Sequence, residues 1–573
     1  MPTEISFEVK GKDVAGRLGK LTIKGKTIET PLLMPVYNPN KPLIPIQEMK
    51  ALFDVRALMT NSYIILKSEE LKESVLANGI HKHLGFDGLI ATDSGSFQLM
   101  AYGSVSTTNK EIIEFQENIG SDIGSFLDIP TLPDAYKPKA VDELETTLER
   151  AKEAVDAKFA VNAGIQGSTY MDLRKKAAQE IGKDFRLCAV GGIVRLMEEY
   201  RFADLVDVIA TVKMNIPANR PVHAFGLGHP MVFSLAAALG CDLFDSAAYA
   251  LYAQDMRYMT EYGTKRLENL EFLPCACPVC SKHGIALKDL PQDEKIKNLA
   301  LHNLYVTFAE INRVKQAIRE GSLWNLLCTR ARSHPAMFAA LLRLKEYRKW
   351  FAELDPITKD SQIYYAGKET AYRPEVLNAK KRIKQVSSAH GVAIPPFGMV
   401  PAEILDIYPF GGFVSSEVDA DMVCPKVSDL EKVRAIMDYQ FGRGAGELIE
   451  SSFQIKKSRT TRRIRGVYKG KVMVASVRAS DHFIIPHMFL AEKLKEKFVF
   501  PKLRVVVHDD AVPFVREGKS VFAKFVVAVD NDLRAGDEVL VVSKEDELIR
   551  SGTLVLSPRE ALDFDRGAAV SVR

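Results

Sequence analysis

Three aspartates stand where short apolar runs of the chain stop. Asp93 follows Leu89-Ile90-Ala91-Thr92, Asp128 follows Ile123-Gly124-Ser125-Phe126-Leu127, and Asp245 follows Asp242-Leu243-Phe244. Similar runs stop at Gln166-Gly167, Gly191-Gly192 and Phe225-Gly226. Two carboxylates facing one centre suit substitution at a sugar anomeric carbon. One attacks and forms a glycosyl ester; the other protonates the leaving group and later takes a proton back. These run ends offer no Ser, His and Asp set for acyl transfer and too few His for a catalytic metal. Phe97 and Phe225 carry flat faces that can sandwich a heterocycle. Asp128 supplies an acceptor and Gln166 a mixed donor and acceptor, a pair suited to the edge of a purine-like base. Gly191 and Gly192 let backbone approach a ligand closely. The bland alternative makes each aspartate a helix N-cap and each Phe a core residue. The convergence of three carboxylates, Gln166 and two Gly-rich turns on one mouth favours a site.

That mouth requires a particular scaffold. Eight apolar runs, rich in β-branched residues, fall at 33–36, 57–60, 89–92, 123–127, 159–163, 187–190, 222–225 and 242–244. Their spacing of roughly 30 residues, with helix-like stretches between, predicts βα units and a parallel sheet. Eight units predict a closed (β/α)8 TIM barrel, an α/β fold whose catalytic groups sit at the C-terminal strand ends. A doubly wound open sheet is the main competitor. Residues 141–158 predict a helix, and Pro230 and Gly240 bracket another. Residues 5–30 alternate and turn at Lys24-Gly25-Lys26, which predicts a β-hairpin cap. Beyond the barrel, about 293–350 is helical in pattern and 501–573 predicts a small β-barrel. The expected division is a catalytic barrel over 1–350, with a metal-binding subdomain at about 270–350. Two α+β domains follow, over 351–430 and 431–500, and then the β-barrel over 501–573.

Cys275-Ala276-Cys277-Pro278-Val279-Cys280 crowds three thiols into six positions, which resembles half of a structural zinc site. Spacing favours His283 as a fourth ligand, with His302 as the more distant choice. The chain has 573 residues, 47% hydrophobic and 26% charged, and seven cysteines. Disorder, collagen and a disulfide-stapled framework are excluded by that usage. There is no apolar run of membrane length and no apolar N-terminal core of a secretory signal, which predicts a cytoplasmic protein without membrane partner. Net charge is only +4, yet residues 451–480 hold nine Lys or Arg and no Asp or Glu. So one-sided a block is a candidate phosphate-binding surface.

Taken together, the Asp93-Ser94-Gly95-Ser96-Phe97-Gln98 run, the Asp242-to-Ser246 segment and the Cys-x-Cys-x2-Cys knot resemble the tRNA-guanine transglycosylases. The long C-terminal extension is similar to that of the archaeal, archaeosine-forming branch. Its last part, with Arg534-Ala535-Gly536-Asp537-Glu538-Val539 and Asp565-Arg566-Gly567-Ala568-Ala569-Val570, resembles a PUA RNA-binding domain. The resemblance implies exchange of guanine 15 in the tRNA D-arm for 7-cyano-7-deazaguanine (preQ0), without ATP. It implies Asp245 as nucleophile at ribose C1′ and Asp93 as general acid/base. It implies Ser94, Asp128, Gln166, Val190, Gly191 and Gly192 around the base, with Phe97 and Phe225 as its stacking pair. It implies one structural Zn2+ on Cys275, Cys277, Cys280 and His302, overriding the local choice of His283, and a homodimer. Double displacement predicts retained configuration, and reaching a base inside the tRNA core carries the cost that base-flipping enzymes meet.

Three rivals remain at this stage. An archaeosine synthase-like paralogue would share the barrel, zinc and PUA-like parts, but is not expected to keep both Asp93 and Asp245. A non-catalytic tRNA-binding protein with a relic barrel is disfavoured by the intact acid pair. An anticodon-directed transglycosylase is disfavoured by the C-terminal extension.

Overall fold

Eight strands carry the barrel, and each forms where an apolar run was expected. They are β4 (Leu32–Pro35), β5 (Ala57–Asn61), β6 (Leu89–Asp93), β7 (Ile123–Gly124), β8 (Ala160–Ile165), β9 (Leu187–Val190), β10 (Val222–Ala224) and β11 (Leu243–Ser246). The computed structural model describes residues 4–96, 107–416 and 425–573. The order is β4-β11-β10-β9-β8-β7-β6-β5, and every strand pair is parallel. A parallel bridge from Val36 to Met59 joins the two outer strands and closes the ring. Parallel strands under a helical shell are covered on both faces and read as continuous apolar runs. Accordingly, all six residues of β8 are buried.

β7 is two residues long where a five-residue run was expected. Side chains replace the ladder there. Gln116 accepts from Ser125 N–H (3.0 Å) and donates to Ser125 O (2.8 Å), as a neighbouring strand would. Asn109 Oδ1 accepts from Leu127 N–H at 2.8 Å. The segment leading to Asp128 is thus fixed by the helix Asn109–Asn118, itself started by a Thr108/Glu111 capping box.

The opposite end of the barrel is closed by an ion pair. Arg17 donates Nε to Asp242 Oδ1 (3.0 Å) and also pairs with Oδ2. Its remaining donors reach Ala218 O and Arg220 O at 2.6 and 2.9 Å. Asp242 Oδ2 also accepts from Val222 N–H at 2.8 Å. Both charges are buried with their bonding capacity largely used, which limits the desolvation cost of placing them there. Three antiparallel strands, β1 (Ile5–Asp13), β2 (Gly16–Ile23) and β3 (Lys26–Thr30), precede the barrel. The expected turn at Lys24-Gly25 is present, and a second turn at Val14-Ala15 makes a sheet rather than a single hairpin.

The chain forms two compact units. One holds residues 1–11, 16–319 and 326–343; the other holds 12–15, 320–325 and 344–573. In the second unit Lys359 is buried among Asp13, Asp355 and Glu375, at 2.6, 2.8 and 2.9 Å. This cluster explains why the short segment 12–15 belongs to that unit. The same unit contains a four-stranded antiparallel sheet over 454–486 and a six-stranded sheet over 504–572. The expected helical stretch near 293–350 breaks into Gln292–Glu320, Leu323–Ala331, Pro335–Arg343 and Arg348–Leu354. Among the described residues, no helix is long and apolar enough to cross a membrane.

Candidate active site and metal centre

The mouth of the barrel holds a pocket that opens to solvent. Asp93, Ser96, Asp128, Gln166, Gly191, Gly192 and Phe225 line it, together with the loop Pro130–Pro133, Val194 and Arg195. Asp245 stands beside it rather than in its lining, close enough that its charge acts on Asp93. Ser94 and Val190 lie beneath the surface: Ser94 Oγ donates to Phe126 O (2.9 Å), and Val190 O accepts from Phe225 N–H (3.2 Å). Phe97 lies outside the described residues.

The two aspartates differ in environment. Asp93 ends β6 and is partly buried. It accepts from Asn61 Nδ2 at 2.9 Å and, weakly, from Gly95 N–H at 3.4 Å. Burial, then the charges of Asp128 and Asp245, push its carboxyl up to about 7. A carboxyl balanced near neutrality can give a proton and take it back. Asp245 lies one residue before the end of β11 and accepts from Gly226 N–H at 2.6 Å and from His223 Nε2 at 2.8 Å, both on Oδ1.

Asp128 and Gln166 meet on one wall of the pocket. Gln166 Nε2 donates to Asp128 Oδ2 at 2.5 Å, and Ser96 also bonds this carboxylate. Burial raises the Asp128 pKa against those bonds. Gln166 Oε1 is buried without a partner among the described residues. A buried acceptor left open in a pocket wall costs free energy unless a ligand meets it. Glycine is required at two places here. A Cβ at Gly164 would stand 2.3 Å from Asp128 Oδ2, and one at Gly191 would stand 2.1 Å from Gln166 Nε2. Below them Arg174, fully buried, donates to Ile165 O (2.6 Å), Ser168 O (2.8 Å) and Gly191 O (2.9 Å). It braces the turn that carries the pocket floor, and burial lowers its pKa to about 9.

Sequence reasoning missed Asn61, Asn162, Arg174 and His223. Asn61 had a signal, since it is the last residue of β5. The others are polar residues inside a strand or helix, with no periodic mark.

The candidate metal centre is a second cluster. Cys275, Cys277, Cys280 and His302 offer donor atoms within 4.8 Å of one another. Four ligands around one zinc ion, with Zn–S bonds of about 2.3 Å, have sulfur–sulfur edges of about 3.8 Å. His302 Nδ1 faces Cys280 Sγ at 3.3 Å and Cys277 Sγ at 3.5 Å. Its Nε2 lies 3.0 Å from Met259 O, the outer bond that orients a ligating imidazole. The Tyr258 ring stacks on it at 3.7 Å. His283, the sequence-local choice, is not a member of this cluster; the helix Gln292–Glu320 delivers His302 instead. This donor set can hold a metal ion and fits a structural zinc with no open position. Val279 and Cys280 pack in one apolar cluster with Ile46, Leu58 and Ile90, so the knot braces the barrel wall.

Comparison with known proteins places this geometry. Residues 13–336 match the family described as queuine tRNA-ribosyltransferase. The chain belongs to the tRNA-guanine transglycosylase family. Residues 431–501 match the patch-forming domain C2 of tRNA-guanine transglycosylase, and 503–573 match the PUA domain. The chain is 49% identical to the tRNA-guanine(15) transglycosylase of Thermococcus kodakarensis, over 100% of this chain and 99% of that protein. It is 48% identical to that of Pyrococcus furiosus, over 99% and 98%, and 42% identical to that of Methanocaldococcus jannaschii, over 99% of each. Membership of the transglycosylase family makes the protein a tRNA-modifying enzyme of glycosyltransferase type.

Proposed function

We propose that the protein exchanges guanine at position 15 of tRNA for preQ0 by double displacement at ribose C1′. The observation that carries the reading is the pairing of unlike aspartates at one mouth, Asp93 near neutrality and Asp245 held by two N–H donors. In the first step Asp245 attacks C1′. The C1′–N9 bond breaks, its electron pair goes to N9, and Asp93 delivers the proton. Guanine leaves and preQ0 enters. In the second step Asp93 takes the N9 proton of preQ0, N9 attacks C1′, and Asp245 departs as carboxylate. One glycosidic bond replaces another, configuration is retained, and no nucleotide is consumed.

Base choice follows from hydrogen-bond chemistry. Guanine and preQ0 share N–H donors at N1 and the 2-amino group and an acceptor at O6. Asp128 takes donors, and the Gln166 amide takes either kind. Ser94 supports the Asp93 turn, while Val190, Gly191 and Gly192 form the floor. Phe225 and Phe97 are the proposed stacking pair. The tRNA partner is supported by the hairpin over 454–469. Lys456, Lys457, Arg459, Arg462, Arg463, Arg465 and Lys469 are exposed on it or its loop. Among the described residues, Arg459, Arg462, Arg463 and Arg465 have no carboxylate partner. Such a surface suits phosphates.

The proposal also includes one structural Zn2+ on Cys275, Cys277, Cys280 and His302, a homodimer in the cytoplasm, and the division 1–350, 351–430, 431–500 and 501–573. The test is an exchange assay on unmodified tRNA with radiolabelled guanine at position 15. Release that depends on preQ0 supports the reading. Tight tRNA binding with no release contradicts it and favours a synthase-like or binding role.

A further inference from the structure

The hydrogen bonds of Asp245 are arranged asymmetrically. Gly226 N–H and His223 Nε2 both meet Oδ1. The far side of the imidazole is set by Asn162, whose amide Nδ2 lies 2.9 Å from His223 Nδ1. An amide nitrogen can only donate, so Nδ1 accepts. The ring proton therefore sits on Nε2 and points at the carboxylate. Asn162, His223 and Asp245 are 2%, 1% and 4% exposed, which keeps this chain out of bulk water. His223 also lies against Phe225, with ring centroids 4.9 Å apart. A buried histidine is often only a satisfied core residue. This one directs its single N–H at a carboxylate of the mouth.

We infer that Asn162 and His223 are a positioning pair for Asp245, holding Oδ1 and leaving Oδ2 as the oxygen that bonds C1′. The inference rests on the reading of Asp245 as nucleophile. In the glycosyl ester Oδ1 is the carbonyl oxygen. When the incoming base displaces the ester, negative charge returns to this group and meets two N–H donors already in place. A carboxylate held in one orientation also loses no time facing away from C1′. Both effects act on the chemical steps and not on base or tRNA binding.

The test uses the full-length enzyme in guanine exchange, with kcat, KM for tRNA and the thermal midpoint measured together. His223→Phe keeps a ring and removes the donor. It is expected to lower kcat about 30-fold with KM changed less than about twofold, as loss of a hydrogen bond to a charged group implies. His223→Gln places an amide N–H near the position of Nε2, and recovers kcat to within about fivefold of the parent enzyme. Asn162→Leu frees the other tautomer and lowers kcat about three- to tenfold at unchanged KM.

Parental kcat in His223→Phe, with Asp245→Asn inactive, overturns the inference and leaves the nucleophile reading standing. Exchange by Asp245→Asn overturns the nucleophile reading itself. A His223→Gln enzyme no faster than His223→Phe, both at the parental midpoint, also overturns the inference, because ring shape would then be the requirement. Should His223→Phe fail to fold, Asn162→Leu decides: slowed kcat at unchanged KM supports the pair, and parental kcat overturns it.

Discussion

Asp242 and Asp245 lie three residues apart, at the two ends of one barrel strand. At the N-terminal end Asp242 meets Arg17 in a buried pair and a backbone N–H, so both its oxygens are engaged. At the C-terminal end the Gly226 and His223 donors both fall on one oxygen of Asp245. The first arrangement stabilises the folded chain; the second puts both donors on Oδ1, as the proposed nucleophile requires. Barrel folds separate these duties by end, with stability at the bottom and chemistry at the top. The mouth also carries features that a purely structural site would avoid: the raised Asp93, the open Gln166 Oε1 and the half-paired Arg174. Such groups are tolerated where a ligand completes them.

The contrast can be sharpened by substitution. Asp245→Asn removes the attacking oxygen and is expected to lower guanine exchange by about 10⁴-fold or more, with the thermal midpoint not reduced. Asp242→Asn leaves the Arg17 charge buried without its counter-charge and is expected to cost about 3–5 kcal/mol of stability. Denaturant unfolding of the two variants side by side checks the separation. A large stability loss in Asp245→Asn, or none in Asp242→Asn, breaks it.

Asp93 sits between these extremes. Its folded-state value of about 7 lies above the usual value of 3.8 because of burial first and the two neighbouring carboxylates second. Below pH 3.8 both states hold the proton. Between there and about 7 the folded state holds a proton that the unfolded state has lost. Stability therefore falls as pH rises through that window, by up to about 4 kcal/mol. Asp93→Asn removes this titration. It should melt above the parent at pH 8 and close to it at pH 4, and an equal difference at both pH values would contradict the assignment. The smallest effect is expected on the basic hairpin. Arg462→Ala with Arg463→Ala should weaken tRNA binding and reduce its salt slope by about one to two counterions. Filter binding at several salt concentrations reads this, and an unchanged slope would remove these residues from the RNA surface.

Much of the barrel was legible because parallel strands buried on both faces leave unbroken apolar runs. All eight runs became strands, and the residues where six of them stop were read as the mouth, while Asn61 at the end of β5 was passed over. Where side chains take over the ladder, as Gln116 does beside Ser125, the pattern overstates the strand. The cysteine knot was legible as a candidate metal site, but spacing pointed to His283. The true member, His302, arrives on a helix 22 residues after Cys280, a contact that only tertiary packing makes. Asn162, His223 and Arg174 were illegible for a related reason. A polar residue inside a barrel strand or a buried helix face disturbs the apolar pattern without announcing a partner. The short segments 12–15 and 320–325 join the second unit through buried bonds such as Asp13 Oδ2 with Leu323 N–H (2.7 Å), which no composition shift marks.

The central claim is that the Asp245 carboxylate forms a bond to C1′. The most direct measurement is rapid quenching of enzyme with guanine-15 tRNA in denaturant, followed by peptide mass mapping of any RNA–protein adduct. The account predicts an adduct on the peptide that carries Asp245, absent in Asp245→Asn and chased by preQ0. An adduct on Asp93, or base exchange in single turnover by Asp245→Asn, would contradict it.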